Sequence, residues 1–285
     1  MIIKAPAKIN LGLDVLGLRQ DGYHEVKMVM QMLKLHDELT IEALRGGQGI
    51  TLTTNVSYIP TDGSNLAVRA AALLMEEFDI KDGLTIFLQK NIPVAAGLAG
   101  GSTDAAAVLI GLNKLYKLGL GTEELMARGV KLGADVPFCV MKTTALSEGI
   151  GEVLTPVSGM PTCGILLAKP PFSVSTPKIY KAYDSLNDVA HPDVDAILQD
   201  LENGDLKALA GHMGNVLEAA TGPMYPVIGE LEKAMKEAGA LNAMMSGSGP
   251  TVFGIYNNKE AAAAAKRALQ KQFPGVRLIV TEPLS

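Results

Sequence analysis

Hydrophobic residues follow two different periods along the chain, and each period predicts one kind of element. Leu84, Ile86 and Leu88 recur at every second position, which is the pattern of a strand with one buried face. From Asp104 to Tyr116, apolar residues recur three or four positions apart, as in a helix with one buried face. The two patterns predict strands over residues 1–16, 39–43, 50–54, 84–88, 163–169, 251–256 and 276–281. They predict helices over residues 65–78, 102–116, 122–132, 176–186, 193–202, 204–221, 226–238 and 259–272. Ser64 and Asn65 are expected to cap the first of these helices.

Turn-forming residues divide these elements into two groups. The pattern changes near Gly149–Gly151, and four prolines follow between residues 156 and 171. Because domain boundaries fall in stretches rich in such residues, we expect two domains, over residues 1–155 and 156–285. Each domain contains helices and strands, so we expect a mixed α and β fold with two lobes.

The composition excludes several classes of protein. Hydrophobic residues make up 48% of the 285 positions and charged residues 19%, which is a globular composition. The net charge is -5 and no basic stripe occurs, which argues against nucleic acid as a partner. Cys139 and Cys163 have no CxxC partner, which excludes a thiolate zinc site and favours a reducing compartment. No apolar run approaches the roughly 18 residues of a membrane span, and no signal peptide is present, so we expect a cytoplasmic protein without a membrane partner.

The stretch from Pro93 to Asp104 is the strongest candidate for chemistry. It combines a strand exit, a glycine turn and the start of a helix, so several backbone N–H groups point the same way at the positive end of the helix dipole. Such a junction binds phosphate, and glycine lets the backbone approach the phosphate oxygens closely. The alternative is a tight turn followed by an ordinary helix cap. The P-loop motif Gly-x-x-x-x-Gly-Lys-Ser/Thr is absent, so a phosphate loop here belongs to another design.

Two charged residues lie in apolar surroundings. Lys8 is a lone cation in a mostly apolar strand, with Asn10 on the same face two residues later. A surface lysine is the simplest explanation, but a strand of this kind is partly buried, and a buried lysine needs an anionic partner. Asp135 stands between a glycine turn and Val-Pro-Phe, where it is either a turn residue that satisfies local N–H groups or a general base or metal ligand. Spacing alone does not decide between these roles.

Two further turns carry candidate ligand contacts. Asp21–His24 is either a solvent-facing turn or a ring-stacking platform formed by Tyr23 with a hydrogen-bonding neighbour, His24. The glycine-rich segment Met244–Thr251 predicts a hairpin turn by itself. Beside a first anion loop, it is also suited to close over a substrate's phosphates.

Three of these segments, in order along the chain, resemble the motifs of the GHMP kinase superfamily, which includes galactokinase and the homoserine, mevalonate and phosphomevalonate kinases. They are Pro6–Leu11, Pro93–Ala107 and Met245–Pro250. The resemblance extends over essentially the whole chain. Three more segments narrow it to a branch that acts on a cytidine-diphosphate substrate, namely Asp21–His24, Gly133–Phe138 and Ser175–Tyr180.

The resemblance implies an ATP-dependent kinase that phosphorylates the 2-hydroxyl of cytidine-diphosphate methylerythritol, on the non-mevalonate route to isoprenoid precursors. Asp135 would be the base that takes the hydroxyl proton, and Lys8 would orient that hydroxyl and keep Asp135 ionised. Asn65 and Lys90 would lie near the adenine. The phosphates of ATP would be bound by Pro93, Val94, Ala95, Ala96, Gly97, Leu98, Ala99, Gly100, Gly101, Ser102, Thr103 and Asp104.

The second motif departs from the family's pattern in several places. Ala96 and Ala99 replace glycines, which is conservative as long as the backbone there keeps a negative φ. Thr103 replaces a serine and keeps its hydroxyl. The resemblance implies Mg2+ as a cofactor near Ser102 or Thr103, but the helix lacks the metal-binding glutamate of several sister kinases.

For the substrate, the resemblance implies that Tyr23 stacks on the cytosine with Tyr180 on its other face, while His24 hydrogen-bonds the base. Asn10 would bind the methylerythritol part. The remaining contacts would come from Thr176 and from Ser246, Gly247, Ser248 and Gly249, the last four of which would border the diphosphate.

The resemblance also implies two α+β domains with the active site in the cleft between them, in a monomer or a homodimer. One alternative is a sister kinase of the homoserine or mevalonate type, which would have no use for Tyr23 and Tyr180. Another is a non-catalytic ligand-binding member of the fold, which would not need Lys8, Asp135 and the phosphate loop.

Overall fold

The secondary structure mixes strands and helices along the chain. A computed structural model describes residues 1–284. The strands within these residues are β1 (Ile2–Leu18), β2 (His24–Leu44), β3 (Ile50–Thr54), β4 (Gly83–Gln89), β5 (Ala145–Glu148), β6 (Val153–Pro156), β7 (Gly164–Lys169), β8 (Gly214–Asn215), β9 (Asn242–Met245), β10 (Val252–Tyr256) and β11 (Arg277–Thr281). The helices are α1 (Leu66–Glu77), α2 (Gly100–Tyr116), α3 (Thr122–Val130), α4 (Val136–Met141), α5 (Thr176–Tyr183), α6 (Val194–Asn203), α7 (Leu206–His212), α8 (Glu218–Met224), α9 (Val227–Glu237) and α10 (Lys259–Gln272). The predicted α+β content is confirmed.

The chain divides into two compact units, each built from separate stretches of sequence. The first unit comprises Met1–Ala7, Leu35–Val94 and Ala99–Lys142. The second comprises Lys8–Lys34, Ala95–Leu98 and the chain from Thr143 onward. The predicted domain boundary between residues 155 and 156 lies inside the second unit, and it stays a prediction.

In the first unit, β4 pairs with β3 in parallel and with the second part of β2 in antiparallel register. Leu84, Ile86 and Leu88 are all buried, as their alternation predicts. Helices α1 and α2 pack on each other. Helix α2 approaches the sheet so closely at Gly111 that a Cβ there would lie 2.7 Å from the Ile41 side chain. This helix is therefore held against the strands over its apolar face.

In the second unit, four strands form an antiparallel sheet in the order β11-β7-β10-β9. Three of them confirm the strands predicted over residues 163–169, 251–256 and 276–281. Helices α9 and α10 pack against this sheet. The sheet ends at Met245, so β9 leads directly into the third glycine motif.

Other strands of the second unit are joined by long-range pairing. The two-residue strand β8 runs parallel to β1, with Gly214 opposite Gly12. The chain end pairs with β2, because Lys34 N–H donates to Glu282 O at 2.9 Å and Leu284 N–H donates to Met32 O at 2.8 Å. Among residues 1–284, no helix combines the length and the apolar character that crossing a membrane requires.

One predicted helix is wrong, and three short elements were not predicted. The helix predicted over residues 204–221 is two helices, α7 and α8, because Gly214 and Asn215 pair with β1 instead of continuing the helix. The segment after Asp135 forms α4, with Pro137 in the first turn, where its missing N–H leaves no helical bond unmade. Strands β5 and β6 pair with each other at positions where no alternation predicted a strand.

The start of α2 also differs from its prediction. The helix begins at Gly100, two residues before the predicted start, and Ala99 is its N-cap. Ala99 has φ 55° and ψ 28°, which is the left-handed region, and Ala95 has φ 49°. The expectation that alanine keeps a negative φ in this motif is therefore wrong at Ala99.

Ala99→Gly is expected to raise the free energy of unfolding by about 0.5–1 kcal/mol. A left-handed alanine costs roughly 1–2 kcal/mol, and the extra freedom of glycine in the unfolded chain offsets only part of that. Urea unfolding measures the difference. Ala96→Gly is the matched control and should lose stability, because Ala96 is outside the positive-φ residues. An Ala99→Gly variant that is no more stable than the wild type would contradict the expectation.

Candidate functional site

The second and third glycine motifs meet within the second unit. Ser246 Oγ donates to Gly97 O at 2.9 Å, although the two residues are 149 positions apart. A Cβ on Gly97 would lie 2.2 Å from Ser246 O, and Gly97 has φ 75°. Only glycine satisfies both conditions, so this glycine is required by the contact between the two loops as well as by the turn.

Asn215 fixes the shape of the third motif. Its Nδ2 donates to Met245 O at 2.9 Å and to Gly247 O at 2.8 Å, and its Oδ1 accepts the Leu217 N–H. Asn215 is not among the predicted site residues, because its role depends on the pairing of β8 with β1. The one local sign of a break in the predicted helix over residues 204–221 is the pair Gly214-Asn215.

Lys8 and Asn10 lie side by side on β1. Lys8 is 5% exposed, which rules out an ordinary surface lysine. Its Nζ donates to Asn10 Oδ1 at 2.8 Å, and its backbone N–H donates to Leu98 O at 3.2 Å. A Cβ on Gly247 would lie 3.6 Å from the same Asn10 oxygen. The first, second and third motifs therefore converge around this pair.

The predicted base-binding residues form a second cluster in the same unit. The rings of His24 and Tyr180 lie 4.6 Å apart with an interplanar angle of 38°. His24 Nε2 is 2.6 Å from Oδ1 of Asp184, which is not among the predicted site residues. Tyr23 is 60% exposed, so its ring is open to a ligand. The hydroxyls of Thr176 and Ser248 lie 2.7 Å apart, which links this cluster to the third motif.

The first unit carries the start of α2. The N–H of Thr103 donates to Ala99 O at 2.9 Å, as an intrahelical bond. The preceding N–H groups lack such partners by helix geometry, as the sequence predicts for an anion site. Thr103 and Asp104 are buried, at 1% and 3% exposed, whereas Ser102 is not. The Thr103 N–H is already used within the helix and both side chains are enclosed, so the predicted phosphate contacts of Thr103 and Asp104 stay a prediction.

Lys90 belongs to a buried ion cluster in the first unit. Its Nζ donates to Asp37 Oδ2 at 2.5 Å and to Asp104 Oδ2 at 2.8 Å. Asp37 Oδ1 also accepts the N–H groups of Asn91 and Ile92. Burial raises the pKa of Asp104 well above its ordinary value, and the charge of Asp37 adds to the rise, while Lys90 opposes it. The Lys90 ammonium is thus held by two carboxylates, and its backbone N–H and O pair with the side chain of Asn55.

Asn65 and Asp135 each stand at the start of a helix in the first unit. Asn65 accepts the Ala67 N–H at 2.9 Å and donates to Pro60 O at 2.8 Å, which confirms the predicted cap of α1. Asp135 is the N-cap residue of α4 and is partly exposed. Its backbone oxygen accepts the Cys139 N–H, and its side chain makes no capping bond, so the carboxylate is not used as a helix cap.

Two acids on α8 and α9 lie behind the third motif. Glu218 accepts the Met245 N–H at 2.5 Å and also hydrogen-bonds Glu232. Burial raises the pKa of Glu232 to about 8, with a further contribution from the charge of Glu218, while Lys236 opposes the rise. Burial also raises the pKa of Glu218. A pair of this kind shares a proton at neutral pH.

Glu232→Gln is expected to stabilise the protein increasingly between pH 5 and pH 9. In the folded state Glu232 keeps its proton up to a pH of about 8, whereas in the unfolded chain it loses the proton near pH 4.3. The free energy of unfolding of the wild type therefore falls as the pH rises between these two values. Glutamine keeps the shape without the charge. Because Glu232 is partly exposed and screened, the gain is about 1–2 kcal/mol at pH 9 and about zero at pH 5.

Urea unfolding at both pH values measures this difference. Glu237→Gln, on the same helix but exposed, is the matched control and should show no change with pH. Parallel pH profiles for Glu232→Gln and the wild type would contradict the raised pKa.

Two family models, one in each half of the chain, identify the class of protein. The model of the GHMP kinases N terminal domain matches residues 65–143, and the model of the GHMP kinases C terminal region matches residues 197–275. The chain belongs to the GHMP kinase family, whose members are small-molecule kinases. The family resemblance seen in the sequence is confirmed.

Individual relatives show which members of the family the chain is similar to. The chain is similar to the 4-diphosphocytidyl-2-C-methyl-D-erythritol kinase of Lachnospira eligens, with 46% identity over 98% of this chain and 97% of the relative. It is 51% identical to the kinase of the same name from Geobacillus thermodenitrificans, over 90% of this chain and 88% of the relative. A crystal structure of 4-(cytidine 5'-diphospho)-2C-methyl-D-erythritol kinase matches with a TM-score of 0.86 and 34% identity over 100% of both chains. A homoserine kinase from Cytophaga hutchinsonii, 18% identical over 100% of this chain and 94% of its own, shares the fold with a TM-score of 0.79.

Proposed function

We propose that this chain transfers the γ-phosphoryl group of ATP to the 2-hydroxyl of 4-diphosphocytidyl-2-C-methyl-D-erythritol, on the non-mevalonate route to isoprenoid precursors. The strongest support is the 46% identity to a kinase of that name over 98% of the chain. The acceptor is a small-molecule alcohol, and ATP is the phosphate donor. Contacts of Asn65 and Lys90 with the adenine remain part of this proposal.

The ATP phosphates are assigned to the start of α2 and the glycine segment before it. The N–H groups of Gly100, Gly101 and Ser102 precede the first intrahelical bond, so they are available to an anion. Such groups hold the phosphates and stabilise the charge that develops as the phosphoryl group moves. Recognition by oriented N–H groups also explains how a chain of net charge -5 binds a polyphosphate without a basic stripe.

A magnesium ion that arrives with ATP fits the residues present. In the described part of the chain, no three His, Cys, Asp or Glu side chains are placed to hold a metal. Mg2+ in phosphoryl-transfer sites takes few protein ligands and several from water and phosphate, so such a cluster is not required. Ser102, whose hydroxyl is not enclosed, is the side chain that would hold it. Bound there, the ion would neutralise charge on the phosphates.

The acceptor hydroxyl is assigned to Asp135 and Lys8. Asp135 accepts the proton as the hydroxyl oxygen attacks phosphorus, which suits a partly exposed carboxylate that is not used as a helix cap. Lys8 orients the hydroxyl, and its own ammonium is oriented by Asn10 Oδ1. Because phosphoryl transfer needs little covalent help, positioning of this kind supplies much of the rate.

The cytidine diphosphate is assigned to the His24–Tyr180 cluster and the third motif. The exposed ring of Tyr23 stacks on the cytosine opposite Tyr180, and His24 hydrogen-bonds the base. Thr176 and the loop Ser246–Gly249 border the diphosphate. The Thr176 hydroxyl contacts this loop at the Ser248 hydroxyl. Asn10 contacts the methylerythritol part.

ATP turnover with Mg2+, with candidate alcohols offered one at a time, tests the proposal. ADP release is expected with the cytidine-diphosphate substrate and not with mevalonate or homoserine. Turnover with mevalonate or homoserine instead would support a kinase but contradict the assignment of Tyr23, His24 and Tyr180 to a cytosine. ATP binding without turnover of any alcohol would favour a non-catalytic ligand-binding protein of the same fold.

A further inference from the structure

Two residues one helical turn apart hold the His24 ring. Tyr180 lies on α5 and Asp184 caps its end, with the Asp184 N–H donating to Tyr180 O at 2.9 Å. The Tyr180 ring packs on His24, and Asp184 Oδ1 lies 2.6 Å from His24 Nε2. The imidazole is thus fixed by a tilted ring contact and by a hydrogen bond, both from the last turn of α5.

The partner at Nε2 decides what the other ring nitrogen can do. A carboxylate only accepts hydrogen bonds, so Nε2 carries the hydrogen in the contact with Asp184. In a neutral imidazole, Nδ1 then holds a lone pair and is an acceptor. Without the carboxylate, the ring is free to exchange tautomers, and Nδ1 becomes a donor in part of the population.

An acceptor at Nδ1 distinguishes between pyrimidine bases. Cytosine presents an exocyclic amino group, which donates, where uracil presents a carbonyl oxygen, which accepts. An Nδ1 acceptor pairs with the amino group and opposes the carbonyl, because two acceptors brought together leave both unpaired. Mismatched polar groups in a binding site give strong discrimination between ligands of the same size.

We propose that Asp184 is a positioning residue that fixes His24 as the Nε2–H tautomer, so that Nδ1 accepts from the amino group of the cytosine. The assignment rests on the proposed function, in which His24 contacts the base. Asp184 acts through His24 and touches no reacting atom. It therefore affects which base is selected and how tightly the substrate binds, and it does not affect the rate of phosphoryl transfer.

Kinetics with the cytidine-diphosphate substrate and its uridine counterpart at pH 8 test the assignment. Asp184→Asn is expected to lower the cytidine-to-uridine ratio of kcat/KM by about tenfold or more, since the asparagine amide can donate to Nε2 and leave the hydrogen on Nδ1. The loss should lie in KM, with kcat within about twofold. Asp184→Glu, which restores an acceptor, should recover part of the ratio. Nitrogen-15 NMR of the His24 ring should show the hydrogen moving from Nε2 to Nδ1 in Asp184→Asn.

A matched control separates this role from a structural one. His212 Nδ1 lies 2.6 Å from Asp200 Oδ2 in the same unit, so Asp200→Asn makes the same chemical change at another histidine and should leave the ratio unchanged. An Asp184→Asn variant that keeps the wild-type ratio and tautomer would overturn the assignment while the kinase function stands. A wild-type protein inactive on the cytidine substrate would instead remove the proposed function.

Discussion

Replacing Asp135 by asparagine is expected to lower kcat by about 10²–10⁴-fold, the usual contribution of general base catalysis. Asparagine has nearly the same size and leaves the helix start intact, but its amide cannot take a proton from the acceptor hydroxyl. The Asp135 carboxylate does not cap α4, so the start of that helix should form in the variant. ATP binding should stay within about threefold, because the phosphates are assigned to the start of α2.

The measurement is steady-state ATP turnover together with ATP affinity and the urea unfolding midpoint. Asp195→Asn is the matched control, since Asp195 is an exposed residue that pairs with Lys27 and has no assigned role. Its activity should remain within about twofold of the wild type. A kcat for Asp135→Asn within tenfold of the wild type, at unchanged stability, would mean that transfer proceeds without a base at this position.

Replacing Lys90 by methionine is expected to lower the free energy of unfolding by about 3–5 kcal/mol, which is the typical cost of leaving a buried charge without its partner. Asp37 would keep the N–H groups of Asn91 and Ile92. Asp104 would lose the ammonium at Oδ2, and its Oδ1 has no hydrogen-bond partner in residues 1–284. The cost therefore concentrates on Asp104.

Urea unfolding of two further variants identifies the source of this cost. Lys90→Met combined with Asp104→Asn should recover half or more of the lost stability, because the second change removes the acid that has lost its partner. Lys81→Met, at an exposed ion pair with Asp79, should change stability by less than about 0.5 kcal/mol. A single Lys90→Met variant within 1 kcal/mol of the wild type would show that the cluster contributes little.

Local patterns predicted most of the elements and part of the site. The period-two run ending at Leu88 and the cap at Asn65 are properties of neighbouring residues, and both appear in the structure as expected. The burial of Lys8 also followed from its apolar strand. Each of these depends on contacts within a few positions, which a sequence displays directly.

Residues whose roles depend on distant partners could not be found in this way. Asp37 lies 53 positions from Lys90, and His24 lies 160 positions from Asp184. Asn215 was assigned to a helix because β8 has two residues and gains its structure from β1. The left-handed backbone at Ala99 was also hidden, since alanine by itself predicts a negative φ. Long-range pairing and backbone strain leave little trace in local sequence.

The pairing of the chain end with β2 has a consequence for biosynthesis. Gln31 Nε2 donates to Leu284 O at 3.0 Å across 253 positions, beside the backbone bonds that join Met32 and Lys34 to the same segment. At a ribosomal rate of about 5–20 residues per second, roughly 10–50 s pass between synthesis of the two partners. During that time the backbone groups of Met32 and Lys34 lack these partners. This part of the second unit therefore forms long after β2 has been synthesised.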